Sequence, residues 1–192
     1  SADVMLRREE VPEELLAGCK LFHFGSVSMT AEPARDATLY AARRAKELGK
    51  LVSYDPNFRS ALWADRDEAI QAMLTGLAFA DIVKVSDDEV ELLTGCRDFS
   101  EGARSLVSGG AKLALVTAGE QGTWYASVSG IEGHIPSIKV DAVDTTGAGD
   151  TFLGALLSGL LDYGRDLEGI PEQKLRRIIR FANVAGALCA TG

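Results

Sequence analysis

The sequence predicts an α/β fold, a parallel sheet covered by helices. Three observations carry this. Short apolar runs alternate with longer segments whose apolar residues recur at helical spacing. Gly and Pro punctuate the joins between them. The strings richest in chemistry (Asp55 to Arg59, Ser86 to Glu89, Ala118 to Gly122 and Asp144 to Asp150) follow strands or open helices. In open α/β sheets ligands bind beyond the carboxyl ends of the strands.

Leu21 to Val27 reads as the first strand. Thr30 is placed to cap a helix from Ala31 to Leu48, with Pro33 tolerated in its first turn and Gly49 at its end. Leu51 to Tyr54 is a second strand, and Arg66 to Phe79 a helix with Ala69, Ile70, Met73, Leu74 and Leu77 at helical spacing. Asp81 to Val85 is a third strand, followed by a short helix from Asp87 to Leu93 that stops at Gly95. Ser100 is expected to cap a helix ending at Ser108. Lys112 to Thr117 and Gly122 to Ser127 are strands joined by the tight A-G-E-Q-G turn, and Ile131 to Val140 contains a sixth extended segment. Two helices close the chain, Gly147 to Leu161 and Glu172 to Ala190.

The chain has 192 residues, enough for one domain with a sizeable core. Its 46% hydrophobic and 25% charged content is that of an ordinary soluble globular protein. A net charge of −8 argues against a nucleic-acid surface, and the Arg43-Arg44 and Arg176-Arg177 pairs read as solvated helix faces. Cys19, Cys96 and Cys189 are widely spaced and odd in number, and His23 and His134 lie far apart, so reduced thiols are expected rather than disulfides or a zinc site. The apolar stretch 152–161 is broken by Gly154, Ser158 and Gly159, and no run reaches membrane-spanning length.

Residues Asp144 to Asp150 read D-T-T-G-A-G-D and open an apolar helix. Small residues leave the N–H groups of Gly147, Ala148 and Gly149 uncovered at a helix N-terminus, where partial positive charge and unpaired donors attract an anion. A carboxylate, Asp150, follows at once. Phosphoryl transfer reconciles the two: the N–H groups hold phosphate oxygens and Asp150 takes the proton of an attacking hydroxyl. Taken alone, G-A-G-D also fits a Gly-rich turn with an acidic residue complementing the dipole. The other strings have equally plain readings. Ser86-Asp87-Asp88-Glu89 fits a capping box, Thr117 to Gly122 a hairpin loop with glycines at positive φ, and Asp55 to Arg59 a Pro-containing turn with a solvated Arg.

With Val143 before it and Phe152 after it, D-T-T-G-A-G-D resembles the C-terminal motif of the PfkB (ribokinase-like) sugar kinases. The resemblance implies a three-layer ribokinase-like (Rossmann-like) sheet with flanking helices. It implies Asp150 as catalytic base, also touching substrate, and Gly147, Ala148 and Gly149 as the anion hole. Ser86-x-x-Glu89 stands where the family has N-x-x-E, as in fructokinase-like members; Glu89 would position magnesium through water, and Ser86 would lie at the nucleotide without the amide of Asn. The T-x-G-x-x-G string makes Thr117, Gly119 and Gly122 the nucleotide loop. D-P-N-x-R resembles fructokinases and 2-keto-3-deoxygluconate kinases and puts Arg59 near substrate or phosphate. Gly25-Ser26 falls where members place a substrate-facing residue, though a bare turn fits it as well. Asp144 and Thr146 match a monovalent-cation position, for potassium, and Asn183 one beside the adenine; a loop cap and a helix-surface residue are the plainer readings.

The function so implied is ATP- and Mg2+-dependent phosphorylation of a sugar primary hydroxyl, foremost fructose to fructose 6-phosphate. The alternatives are a 2-keto-3-deoxygluconate kinase or other PfkB sugar or nucleoside kinase, or a nucleotide-binding or interaction module. The implied partners are a small sugar and ATP, with no nucleic acid and no membrane, in a cytoplasmic protein compatible with a homodimer. The resemblance runs from about Ser1 to Gly192 and lacks the family's earlier G-G-x-x-x-N-like segment with its sugar-binding lid. The expectation is a single partial domain, truncated at both ends: the nucleotide half, without activity alone.

Overall fold

The computed structural model describes residues 2–164 and 166–192. Among these, six strands form one sheet in chain order: β1 (Leu21–Gly25), β2 (Leu51–Asp55), β3 (Ile82–Ser86), β4 (Leu113–Thr117), β5 (Thr123–Ser127) and β6 (Glu132–Ile135). β1 to β4 are parallel, whereas β5 and β6 each run antiparallel to the preceding strand. The expected parallel sheet therefore holds for its first four strands. A parallel neighbour needs a crossover of roughly a dozen residues or more. Residues 118–122 and 128–131 are too few, so the chain folds back at both places.

The helices are α1 (Glu13–Gly18), α2 (Ala34–Glu47), α3 (Arg66–Leu77), α4 (Asp87–Thr94), α5 (Phe99–Ser108), α6 (Ala148–Tyr163) and α7 (Glu172–Cys189). They cover both faces of the sheet. On one, Val52, Tyr54, Val83, Val85, Ala114 and Val116 meet α2 to α5. On the other, Leu51, Ile82, Leu113 and Leu115 meet α6 and α7 through Phe152, Leu156, Ile178 and Ile179. β2 is buried at all five positions, as a strand covered by helices on both faces must be.

Two expected caps move. α2 starts at Ala34 with Pro33 as its cap, and Thr30 instead donates its hydroxyl to the Val27 carbonyl at 2.9 Å. The residue before a proline is kept out of helical conformation, so Glu32 cannot belong to the helix. α5 is capped by Asp98, whose carboxylate accepts the Glu101 N–H at 2.9 Å, rather than by Ser100. β6 ends at Ile135 because Pro136 has no N–H to give to a ladder. No helix among the described residues is long and apolar enough to cross a membrane.

Candidate active site at the carboxyl edge of the sheet

The site is built around the N-terminus of α6. Gly147 caps it in the left-handed region, φ 78°, a conformation that costs a side-chain-bearing residue roughly 1–2 kcal/mol. Among the described residues the N–H groups of Gly147, Gly149 and Asp150 meet no acceptor, whereas that of Ala148 donates to the Thr145 carbonyl at 3.1 Å. The uncovered donors are therefore not quite the expected set. Ala148 contributes a small side chain at the rim, and Asp150 contributes an N–H as well as an exposed carboxylate.

Below this terminus the sheet carries a polar row. Register places His23 beside Ser53 and Gly25 beside Asp55 on the face that packs on α6 and α7. His23 Nδ1 and Ser53 Oγ share a hydrogen bond at 3.2 Å, and Lys84 Nζ donates to Asp55 Oδ2 at 2.9 Å. Asp55 and Lys84 are only 3% and 7% exposed. Burial pushes the Asp55 carboxyl above its ordinary range, with Lys84 opposing. Burial likewise holds the His23 imidazole below its ordinary range, while Ser53 and the Asp150 carboxylate pull it back and Lys84 pushes it down. A Cβ built on Gly149 would lie 3.2 Å from Lys84 Nζ, so the lysine reaches the α6 terminus itself.

Glu89 is buried at the start of α4. Its Oε2 accepts the Ser86 N–H at 2.8 Å and its Oε1 accepts the Phe58 N–H at 2.6 Å. The side chain thus closes its own helix, as a capping box requires, and also pins the D-P-N-F-R turn, in which Asn57 sits at φ 48°. Each carboxylate oxygen keeps a further lone pair. That suits a water-mediated hold on magnesium and leaves little room for direct ligation. Arg59 is exposed and lines, with Lys84, Ser86, Asp88 and Glu89, an open cavity of about 450 Å³. Gly25 is the last residue of β1, and Ser26, just beyond it, is buried and donates its hydroxyl to the Pro56 carbonyl at 2.5 Å.

A second cleft, about 230 Å³, runs from the β4–β5 hairpin to the α6 terminus. Thr117, Gly119 and Gly122 line one side, Ala148, Gly149 and Phe152 the other. Gly122 has φ 93°, and a Cβ there would overlap the Ile135 carbonyl oxygen, so the hairpin tolerates no side chain at that point. Asn183 borders the cleft but is no surface residue. It accepts the Thr123 hydroxyl at 2.6 Å and donates to the Ile135 carbonyl at 2.9 Å, fastening α7 to the hairpin. Asp144 accepts the Thr146 N–H at 2.8 Å, and Thr146 holds its carboxyl below the ordinary range. That is the loop-capping geometry, on an exposed residue.

The whole chain fits one known pattern. Residues 2–192 match the family model described as pfkB family carbohydrate kinase. The chain belongs to the PfkB family. It is 46% identical over 192 residues to probable fructokinase-2 of Arabidopsis thaliana, covering all of this chain and 57% of that protein. It is also 46% identical to fructokinase-1 of Oryza sativa subsp. japonica, covering 58% of it. Among solved structures it superposes on fructokinase from Vibrio cholerae O395 in its fructose, ADP and calcium ion bound form with TM-score 0.87 at 30% identity, over 100% of this chain and 60% of that one. It superposes on fructokinase with bound ATP from Xylella fastidiosa with TM-score 0.88 at 28% identity, over 98% and 61%. The chain thus spans somewhat more than half the length of these relatives.

Within this PfkB frame the structure brings together Thr117, Gly119, Gly122, Asn183, Ala148 and Gly149 around one cleft, with Gly147 and Asp150 flanking the last two on α6, and Ser86, Glu89 and Arg59 around a separate cavity. Asp144 and Thr146 stand on the loop entering α6, outside the lining of both except through their neighbour Thr145. His23, Ser53 and Lys84 are the residues that sequence reasoning misses. One signal is available for Lys84, a lone charge among the apolar residues Ile82, Val83 and Val85.

Proposed function

We propose that this chain is the nucleotide-binding part of an ATP-dependent sugar kinase that phosphorylates a primary hydroxyl of fructose to give fructose 6-phosphate. The observation that carries the proposal is the α6 terminus. Free N–H donors and the Asp150 carboxylate stand together where the cleft at the T-x-G-x-x-G hairpin meets the polar row of the sheet. Donors fixed at a helix N-terminus stabilise charge that develops on a transferring phosphoryl group. A carboxylate in the first turn receives the proton that the attacking hydroxyl must lose.

In the step so assigned, the sugar oxygen bonds to the γ-phosphorus, the bond from that phosphorus to the bridging oxygen of ADP breaks, and the hydroxyl proton passes to Asp150. Gly147, Gly149 and Asp150 donate their N–H groups to the phosphoryl oxygens. Thr117, Gly119 and Gly122 shape the nucleotide cleft, with Asn183 holding its wall. Magnesium, when bound, supplies charge neutralisation to the phosphates, and Glu89 would hold it through water. Asp144 and Thr146 are the residues assigned to a potassium ion, Asp144 being kept ionised by its Thr146 bonds. Arg59, exposed at the 450 Å³ cavity, is assigned to substrate or phosphate. Cys19, Cys96 and Cys189 are unpaired, which suits the reducing cytosol to which we assign the protein.

Fructose is favoured by the fructokinase relatives and by the S-x-x-E string, whereas D-P-N-x-R is shared with 2-keto-3-deoxygluconate kinases. The test is a coupled assay of the full-length protein against fructose, ribose, adenosine and 2-keto-3-deoxygluconate. The highest kcat/KM is expected with fructose. A clear preference for one of the other three would overturn the choice of sugar while leaving the nucleotide site standing.

A further inference from the structure

The reaction as assigned leaves a buried charge at its centre unused. Lys84 lies on β3, 7% exposed, with the apolar Ile82 and Leu115 as neighbours on its face of the sheet. Packing there does not call for a cation. A buried ion pair loses several kcal/mol per ion in desolvation, and apolar replacements are often as stable or more so. The position of the ammonium is also unfavourable in itself. It reaches within 3.2 Å of where a Gly149 Cβ would be, so a positive charge faces the positive end of the α6 dipole. An anion between the two would turn this repulsion into two attractions. Among the described residues Lys84 donates to Asp55 alone, leaving two of its three N–H groups free for such an anion.

We propose that Lys84 is a further catalytic residue of the phosphoryl transfer, its ammonium contacting the oxygens of the transferring group beside the Gly149 N–H, with Asp55 as the positioning residue that fixes it. The inference rests on the kinase reading above. The sugar oxygen–phosphorus bond forms, the bond to ADP breaks, the hydroxyl proton goes to Asp150, and Lys84 supplies charge only. Asp55 serves two ends. Its Oδ2 holds the ammonium, and its Oδ1 accepts the Asn57 N–H at 3.2 Å, so the lysine and the D-P-N-F-R turn are located by one side chain.

The experiment compares Lys84→Met, Asp55→Asn and the double variant in the full-length protein, by steady-state kinetics with fructose and MgATP, ADP binding and thermal melting. Lys84→Met is expected to lose at least ten-fold in kcat with ADP affinity unchanged, because ADP lacks the group that Lys84 contacts. Asp55→Asn, which keeps the cation but loosens it, is expected to lose less. The double variant removes both buried charges, so it folds even if Lys84→Met alone does not, and it is expected to stay as slow as Lys84→Met. If Lys84 only neutralises Asp55, the double variant recovers wild-type turnover, and that result overturns the proposal. So does Lys84→Met retaining more than about a third of kcat, or Asp55→Asn proving the slower single variant. A wild-type protein that turns over no sugar at all removes the kinase reading itself and this inference with it, whereas normal turnover that Asp150→Asn abolishes and Lys84→Met spares overturns this inference alone.

Discussion

Asp150→Asn lowers the kcat of the full-length protein by roughly 10²-fold or more while ATP affinity changes little, the scale of losing a general base. The amide is nearly isosteric, keeps its backbone N–H and accepts no proton at neutral pH. The residue is exposed in the first turn of α6, so folding should hardly notice the change. Only the dipole complement is lost, worth about 0.3–1 kcal/mol. Steady-state rates and ATP titration calorimetry on the same preparation separate the two effects. A variant keeping more than about a tenth of wild-type kcat takes Asp150 out of the role of base.

Gly149→Val weakens ATP binding by about ten-fold or more, about 1.4 kcal/mol. Gly149 lies in the helix and has no positive φ, so valine can adopt its backbone; Gly147, at φ 78°, would confuse strain with function. The valine Cβ would sit 3.2 Å from Lys84 Nζ, with two methyls in the space assigned to phosphate oxygens. Calorimetry on the folded variant is the check, and unchanged nucleotide affinity would count against the anion hole.

The residues read most surely from sequence are those whose chemistry is local. D-T-T-G-A-G-D combines small residues, a helix start and a carboxylate within a few positions, and each has a backbone reason to be there. Glu89 is half legible for the same reason: its bond to the Ser86 N–H spans three residues, while its bond to the Phe58 N–H joins segments far apart in the chain. Lys84, Asp55, Ser53 and His23 come together only through register across β1, β2 and β3, which no local pattern announces. The direction of β5 is legible in the local way: the hairpin reading of Thr117 to Gly122 already turns it back on β4, because so short a connection allows no parallel crossover. Only the plainer reading of Asn183, a helix-surface residue, fails, because its partners, Thr123 and the Ile135 carbonyl, come from a hairpin distant in sequence. The Ala148 N–H is lost from the expected anion hole because the Thr145 carbonyl reaches it, a detail of turn geometry rather than of residue type.

The central claim is that nucleotide lies between the T-x-G-x-x-G hairpin and the α6 terminus. Amide 1H–15N spectra of the protein titrated with ADP test it most directly. The predicted result is a set of shifts confined to Thr117–Gly122 and Thr145–Asp150, with Asn183 and Gly186 of the α7 wall, while the α2–α3 surface around Arg35 and Gln71 stays still. Shifts that leave Gly119, Gly122, Gly147 and Gly149 unmoved, or that gather on the α2–α3 side, would contradict the account.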